Sequence, residues 1–214
     1  MTDKGFLADL RRVRLSQLSQ KIFQGISSSR SSTIKNFVPD VPVINVKDIV
    51  DGQIDSGNLN SITVSSRRDT NRYTILPGDI LITCRGTVIK SAVVPKGLVG
   101  CLITANLIAI RLGDSLEPAL LSAFFQSPVG QRALLSTGRS SSGQIALTVS
   151  DVEKIEVPVP PAEIQKKLSG LITSADNYYA AAVESAGLRR DVAYGLALHY
   201  LLNPNNPLPE VNSG

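Results

Sequence analysis

Basic side chains with hydroxyl or amide neighbours recur at three places in this sequence. Arg67, Arg68 and Arg72 surround Asp69-Thr70-Asn71, and Arg85-Gly86-Thr87 is followed by Lys90. Arg139 stands in an expected Ser/Gly-rich loop, Gly138-Arg139-Ser140-Ser141-Ser142-Gly143, just ahead of Gln144. These residue types suit one chemistry. Arginine bridges guanine O6 and N7, and Gln or Asn bridges adenine N6 and N7. Lysine and hydroxyl side chains hold phosphates. One such cluster is an ordinary solvated surface, but three on one folded unit make a case for nucleic acid. The candidate DNA contacts are therefore Arg67, Arg68, Arg72, Arg85, Thr87, Lys90, Arg139 and Gln144.

Catalysis has no comparable candidate. The single histidine, His199, lies near the chain end, and a Ser–His–Asp site would have to borrow it from there. With Cys84 and Cys101 far away, no zinc-ligand spacing arises. Asp69 and Asp79 sit among turn residues and read as structural, and no carboxylate cluster offers a nuclease its metal. Neither a phosphate loop ending in Lys-Ser/Thr nor a dinucleotide fingerprint occurs. Asn203-Pro204-Asn205-Asn206 lacks the second proline and the aromatic of adenine methyltransferases, so it offers no ring to stack on a flipped base. The expectation is a non-catalytic chain with no cofactor and no metal.

The elements that must hold these clusters come next. In 214 residues, 43% hydrophobic and 19% charged, there is enough apolar material for a real core. Charges interrupt every apolar run before membrane-spanning length, and Met1-Thr2-Asp3-Lys4-Gly5 lacks the layout of a secretion signal. Cys84 and Cys101 lie in apolar, strand-like segments and read as buried reduced thiols of a cytoplasmic protein. The net charge of +4 is uneven: residues 1–160 carry 18 Lys and Arg against 13 Asp and Glu, whereas residues 161–214 carry 4 against 5. The basic excess belongs to the first part, which fits a nucleic-acid partner and is equally common on ordinary soluble domains.

Residues 1–37 are polar and basic, with a mobile loop expected at Ser27-Ser28-Ser29-Arg30-Ser31-Ser32. Short apolar runs then read as strands: Val43-Ile44-Asn45-Val46, Ser61-Ile62-Thr63-Val64, Ile80-Leu81-Ile82-Thr83 and Leu107-Ile108-Ala109-Ile110. Asp51-Gly52, Pro77-Gly78-Asp79, Lys96-Gly97 and Gly113-Asp114 punctuate them. Helices are expected at 117–126 and 129–136, broken by Ser127-Pro128, and a last strand at 155–157 closes an apolar stretch. The fold class is α/β in the α+β sense: a mostly β domain over 1–160, with short helices and antiparallel or mixed strands.

A long coiled-coil-type helix is expected over 161–202, with a flexible tail over 203–214. Pro161 suits a first helical position and Glu163 the positive end of the helix dipole. Ile164, Leu168, Leu171, Ala175, Tyr178 and Ala182 step by four and three, the heptad seam of paired helices. A helix lying flat on its own domain would present a wider apolar face. Gly187 and Gly195 weaken the later turns and are expected to bend or end the helix before Asn203-Pro204 stops it.

The stretch from Leu147 to Gln165, a strand, a Pro-Pro pair and then Glu-x-Gln, resembles the end of a target-recognition domain in type I restriction–modification specificity subunits. The likeness extends from about Leu15 to Tyr194. It includes Val41-Pro42-Val43-Ile44-Asn45-Val46-Lys47-Asp48-Ile49 with Gly52, and Pro77-Gly78-Asp79-Ile80-Leu81-Ile82 with Arg85-Gly86. It continues through Asn106-Leu107-Ile108-Ala109-Ile110-Arg111, Ala119 to Ser127, and Ser142-Gly143-Gln144-Ile145. The resemblance implies a DNA-recognition domain with a spacer helix that dimerises and docks a DNA methyltransferase subunit. Usual members carry two domains and two helices, whereas this chain, complete at both ends as a fold, reads either as a half-size form that pairs with itself or as a stand-alone relative with another partner. Two other classes stand beside this expectation. One is a protein-interaction module of the same fold without DNA binding, marked by acidic or apolar cleft residues. The other is an enzyme, marked by a metal or nucleotide in the purified protein.

Overall fold

Strands and short helices alternate through the first part of the structure, a computed structural model that describes residues 11–27, 40–63, 71–141 and 144–202. In chain order they are β1 (Arg12–Arg14), α1 (Leu15–Leu18), β2 (Ser19–Gln24), β3 (Val41–Ile44), β4 (Ile49–Val50), β5 (Gln53–Ile54) and β6 (Asn60–Ile62). Then come β7 (Ile80–Thr83), β8 (Arg85–Gly86), β9 (Ser91–Val93), β10 (Leu102–Ile103), β11 (Leu107–Leu112), α2 (Pro118–Gln126) and α3 (Pro128–Thr137). The remainder are β12 (Arg139–Ser141), β13 (Gln144–Ala146), α4 (Val149–Glu153), β14 (Glu156–Pro158) and α5 (Ala162–Leu202). The chain divides into two compact units, residues 1–169 and 170–214.

The first unit is built on an antiparallel sheet of order β2-β11-β7-β9. Every residue from Ile80 to Thr83 and from Leu107 to Ile110 is buried, because both faces of this sheet are covered. Alternate side chains point to opposite faces. Ile80, Ile82, Ile108 and Ile110 join Leu121 and Phe125 of α2 and Leu134 of α3 in one core. Leu81, Leu107 and Ala109 join Val43, Ile44, Leu102 and Ile103 in a second. Those last four come from a mixed sheet of order β10-β3-β6, in which β10 and β3 run parallel.

Helices α2 and α3 each begin on a proline, where a missing N–H costs nothing. Ser127 ends the first and caps the second, its Oγ accepting the Gly130 N–H at 3.1 Å. Gly130 is required there, since a Cβ would stand 1.9 Å from the Phe124 carbonyl oxygen.

Three expectations are corrected. Residues 11–27 are not merely polar and basic: β1, α1 and β2 lie there, and Leu15, Leu18 and Phe23 are core residues. The approach to the proline cluster is not one strand. Thr148 and Asp151 form a capping box that starts α4 before β14 pairs with β1. Arg139 to Ser141 form strand rather than loop. The Ser-rich segment from Ser28, the Arg67–Arg68 pair and the tail from Asn203 lie outside the described residues.

Helix α5 runs unbroken through Gly187 and Gly195, and 41 residues reach about 60 Å. Its seam is open to solvent: Leu171 is 68% and Tyr178 79% exposed, and Ile164, Leu168, Ala175 and Ala182 are exposed as well. Only Gln165 of this helix is buried.

Candidate nucleic-acid interface

Two of the three basic clusters come together where β7 ends. After Thr83 and Cys84 the chain enters β8, which pairs antiparallel with β13, which in turn pairs with β12. The register places Ala146 between Arg85 on one side and Arg139 on the other. Two strand spacings, about 10 Å, therefore separate the backbones of the two arginines. Ile145, buried in the core, anchors the ribbon, while Gln144 beside it is exposed. Arg85, Thr87 and Lys90 are exposed too.

The loop between Gly86 and Lys90 is held by its neighbours. Gly86 adopts φ 142°, and a Cβ there would meet the Val88 carbonyl oxygen at 3.2 Å, so the bend calls for glycine. From α3, Gln131 Oε1 accepts the Ile89 N–H at 3.1 Å and its Nε2 donates to the Ile89 carbonyl at 2.7 Å. Thr83 Oγ1 accepts the Lys90 N–H at 3.1 Å. The Lys90 ammonium donates to the Ile49 carbonyl at 2.8 Å, which makes Lys90 a brace as well as a surface cation.

Arg72 lies elsewhere. Its carbonyl accepts from Lys21 Nζ at 2.8 Å, and its guanidinium stands 5.5 Å from the Tyr73 ring centre. Lys21 faces Arg111 across the β2–β11 pair. Arg111 in turn grips buried Asp79 with two hydrogen bonds of 2.8 Å. Asp79 also accepts the Leu76 N–H at 2.8 Å, which fixes the turn into β7. Asp79 precedes β7 and Arg85 follows it, so six extended residues, about 20 Å, separate this group from the β8 loop. Arg72 thus lies at the opposite end of β7 from Arg85 and Arg139.

Charge and burial set the local pKa values. Burial, with the Arg111 cation next, pushes the Lys21 ammonium below the usual lysine range. The hydrogen bond to Asp79 raises Arg111 further. Burial pushes the thiols of Cys84 and Cys101 up, and both cysteines are free and buried as expected. Asp79, read as a turn residue, is that and the centre of an ion pair. A cleft of about 410 Å³ opens beside Asp79 and Arg111, whose charged ends are committed to each other. Lys21 and Gln131 were not legible as neighbours of these clusters. Lys21 sits in a half-polar segment that did not read as a strand, and a glutamine on a helix gives no hint of which backbone it will meet.

Among the described residues, no group of three or more His, Cys, Asp or Glu is placed to hold a metal, and no helix is long and apolar enough to cross a membrane.

The sequence model of the type I restriction modification DNA specificity domain matches residues 10–181. The specificity subunit of the type I restriction enzyme EcoKI from Escherichia coli K12 is 26% identical over 145 residues, 63% of this chain and 31% of that protein. The HsdS subunit from Thermoanaerobacter tengcongensis superposes with a TM-score of 0.53 at 22% identity, covering 82% of this chain and 39% of its own. A type I restriction–modification S subunit from M. genitalium gives a TM-score of 0.60 at 11% identity, covering 96% and 49%. The chain spans less than half of each of these relatives.

Proposed function

The chain belongs to the type I restriction modification DNA specificity domain family, and from that premise we propose that it is the non-catalytic subunit that selects the DNA sequence on which a partner DNA methyltransferase acts. The observation that carries this reading is the braced, exposed Arg85–Lys90 loop beside the ribbon of Arg139 and Gln144. Arginine and glutamine there have the donor sets that base edges demand, and a fixed backbone keeps the ordering cost of binding low. Arg72 adds a phosphate contact from the other end of β7, and Arg67 and Arg68, close to it in sequence, are assigned phosphate contacts as well. The partner binds S-adenosylmethionine, extrudes the target base and transfers the methyl group.

Residues 1–160 act as the recognition domain and 161–202 as spacer, with the tail from Asn203 outside both. One recognition domain and one seamed helix per chain suit a homodimer whose helices pair antiparallel through Ile164, Leu168, Leu171, Ala175, Tyr178 and Ala182. Such a dimer is matched by a bipartite, palindromic target. The complex works in the cytoplasm, where buried thiols stay reduced.

Co-expression with a type I DNA methyltransferase subunit from the same genome tests the reading. Sequence-specific methylation of the host DNA is expected only when both proteins are present. Methylation that is unchanged without this chain, or methyl transfer by this chain alone, overturns it.

A further inference from the structure

The tip of the β8 loop holds two exposed residues, Thr87 and Val88, between fixed neighbours. On one side Gly86 is paired with Ile145, and on the other Ile89 is buried and bonded through both its N–H and its carbonyl to Gln131. Val88 is 65% exposed. Exposure alone would not single it out, since Val99 is as open. Its frame does. Four backbone or side-chain bonds fix Ile89 and Lys90 directly after Val88, and Arg85 and Thr87 precede it with groups that suit base edges and phosphates. A loop that brings only charge to DNA has no use for a branched apolar side chain exposed at its tip.

The major-groove edge of DNA offers one apolar group, the C5 methyl of thymine. Resting on the DNA-recognition reading above, we propose that Val88 is a specificity-determining residue that packs on the C5 methyl of one thymine in the target, and that Gln131 is the positioning residue that holds it there. Arg85 and Thr87 anchor the loop on the adjoining base edge or phosphate. Gln131 acts through the Ile89 backbone and does not touch the nucleic acid.

The test begins with the full chain and a random-sequence duplex library, from which the bound sequence is selected. Each thymine of that sequence is then replaced singly by uracil, which differs only in lacking the methyl. At one position the parent protein is expected to lose about fourfold in affinity, the worth of one buried methyl group. Val88→Ala should bind the thymine and uracil duplexes alike at that position, with the salt dependence of binding unchanged. Val88 is exposed, so this variant keeps its fold. Gln131→Ala should likewise lose the thymine preference, beyond any general loss of affinity, and Gln131→Glu, which keeps the acceptor for the Ile89 N–H, should retain part of it. If a sequence is selected and no uracil substitution separates parent from Val88→Ala, the assignment of Val88 fails while DNA recognition stands. If no sequence emerges from the library, the recognition reading fails and takes this inference with it.

Discussion

Gln165 Oε1 accepts the backbone N–H of Glu117 at 2.9 Å, so the first turn of the long helix and the entry to α2 share one joint. The same side-chain amide donates to the Ser115 carbonyl at 3.1 Å and to the Pro160 carbonyl at 2.8 Å. Gln165 is the glutamine of the Pro-Pro, Glu-x-Gln stretch. Its neighbour Glu163, by contrast, faces solvent and pairs only with Lys167, one turn on. The motif therefore has two parts. Pro161 stands one residue ahead of the helix rather than at its first position, its carbonyl accepting the Gln165 N–H at 3.0 Å; Glu163 lies in the first turn, and Gln165 fixes where the helix starts relative to the core.

Gln165→Ala removes three hydrogen bonds at a buried position and leaves the Glu117 N–H without its partner. The cost is expected at about 1–3 kcal/mol, the penalty for an unsatisfied buried polar group. Gln165→Glu should be at least as damaging, because a carboxylate cannot donate to Ser115 or Pro160 and would be buried as a charge. Urea denaturation of the parent and the two variants measures this. A midpoint unchanged in Gln165→Ala would show that the joint carries no stability.

The strands were legible where burial on both faces writes a continuous apolar run, as in β7 and β11. Residues 11–24 were not, because β2 is half polar and its core contacts are Leu15, Leu18 and Phe23, spaced without a clear period. The helices α2 and α3 were legible as two segments, although Pro128, read as the break between them, is the first residue of α3. For the candidate site, the residue types were legible and the grouping was not. Arg85 and Arg139 meet only through β13, a long-range pairing that no local pattern encodes. Arg72 and Arg85 look like neighbours in sequence but are separated by the length of β7.

Cys84 and Cys101 should resist a thiol reagent in the folded protein at about pH 8 and react at once in denaturant, since reactivity follows the thiolate and its access. Their folded pKa values lie above the ordinary thiol range through burial, so above that range the folded state holds protons that the unfolded state has released. Their contribution to stability is therefore intact at neutral pH and falls as pH rises into and beyond the thiol range. Rapid labelling of two thiols without unfolding would contradict the buried assignment.

Arg85→Ala is expected to reduce the slope of log K against log salt by about 0.9 if its guanidinium meets a phosphate. If it meets guanine instead, affinity for the selected sequence should fall while binding to unrelated duplexes holds. Lys90→Ala should also loosen the loop, because its ammonium braces the Ile49 carbonyl. The triple change of Arg67, Arg68 and Arg72 to alanine should lower the slope without altering which sequence is preferred. Unchanged affinity and slope would remove those three residues from the interface.

Leu171→Asp separates a paired helix from a solitary one. Leu171 is 68% exposed in the single chain, so the substitution should leave the chain's own stability within about 0.5 kcal/mol. In a helix pair the same position is buried against the second copy, and an aspartate there should weaken association by several kcal/mol through desolvation. Tyr178, 79% exposed, lies on the same seam two turns later and should behave alike on substitution by Asp. Sedimentation of the parent at tens of micromolar is expected to give a dimer, and both variants a folded monomer with unchanged unfolding midpoint. A parent that stays monomeric, with or without target DNA, would leave the exposed seam to a different partner and remove the two-fold argument for a palindromic target.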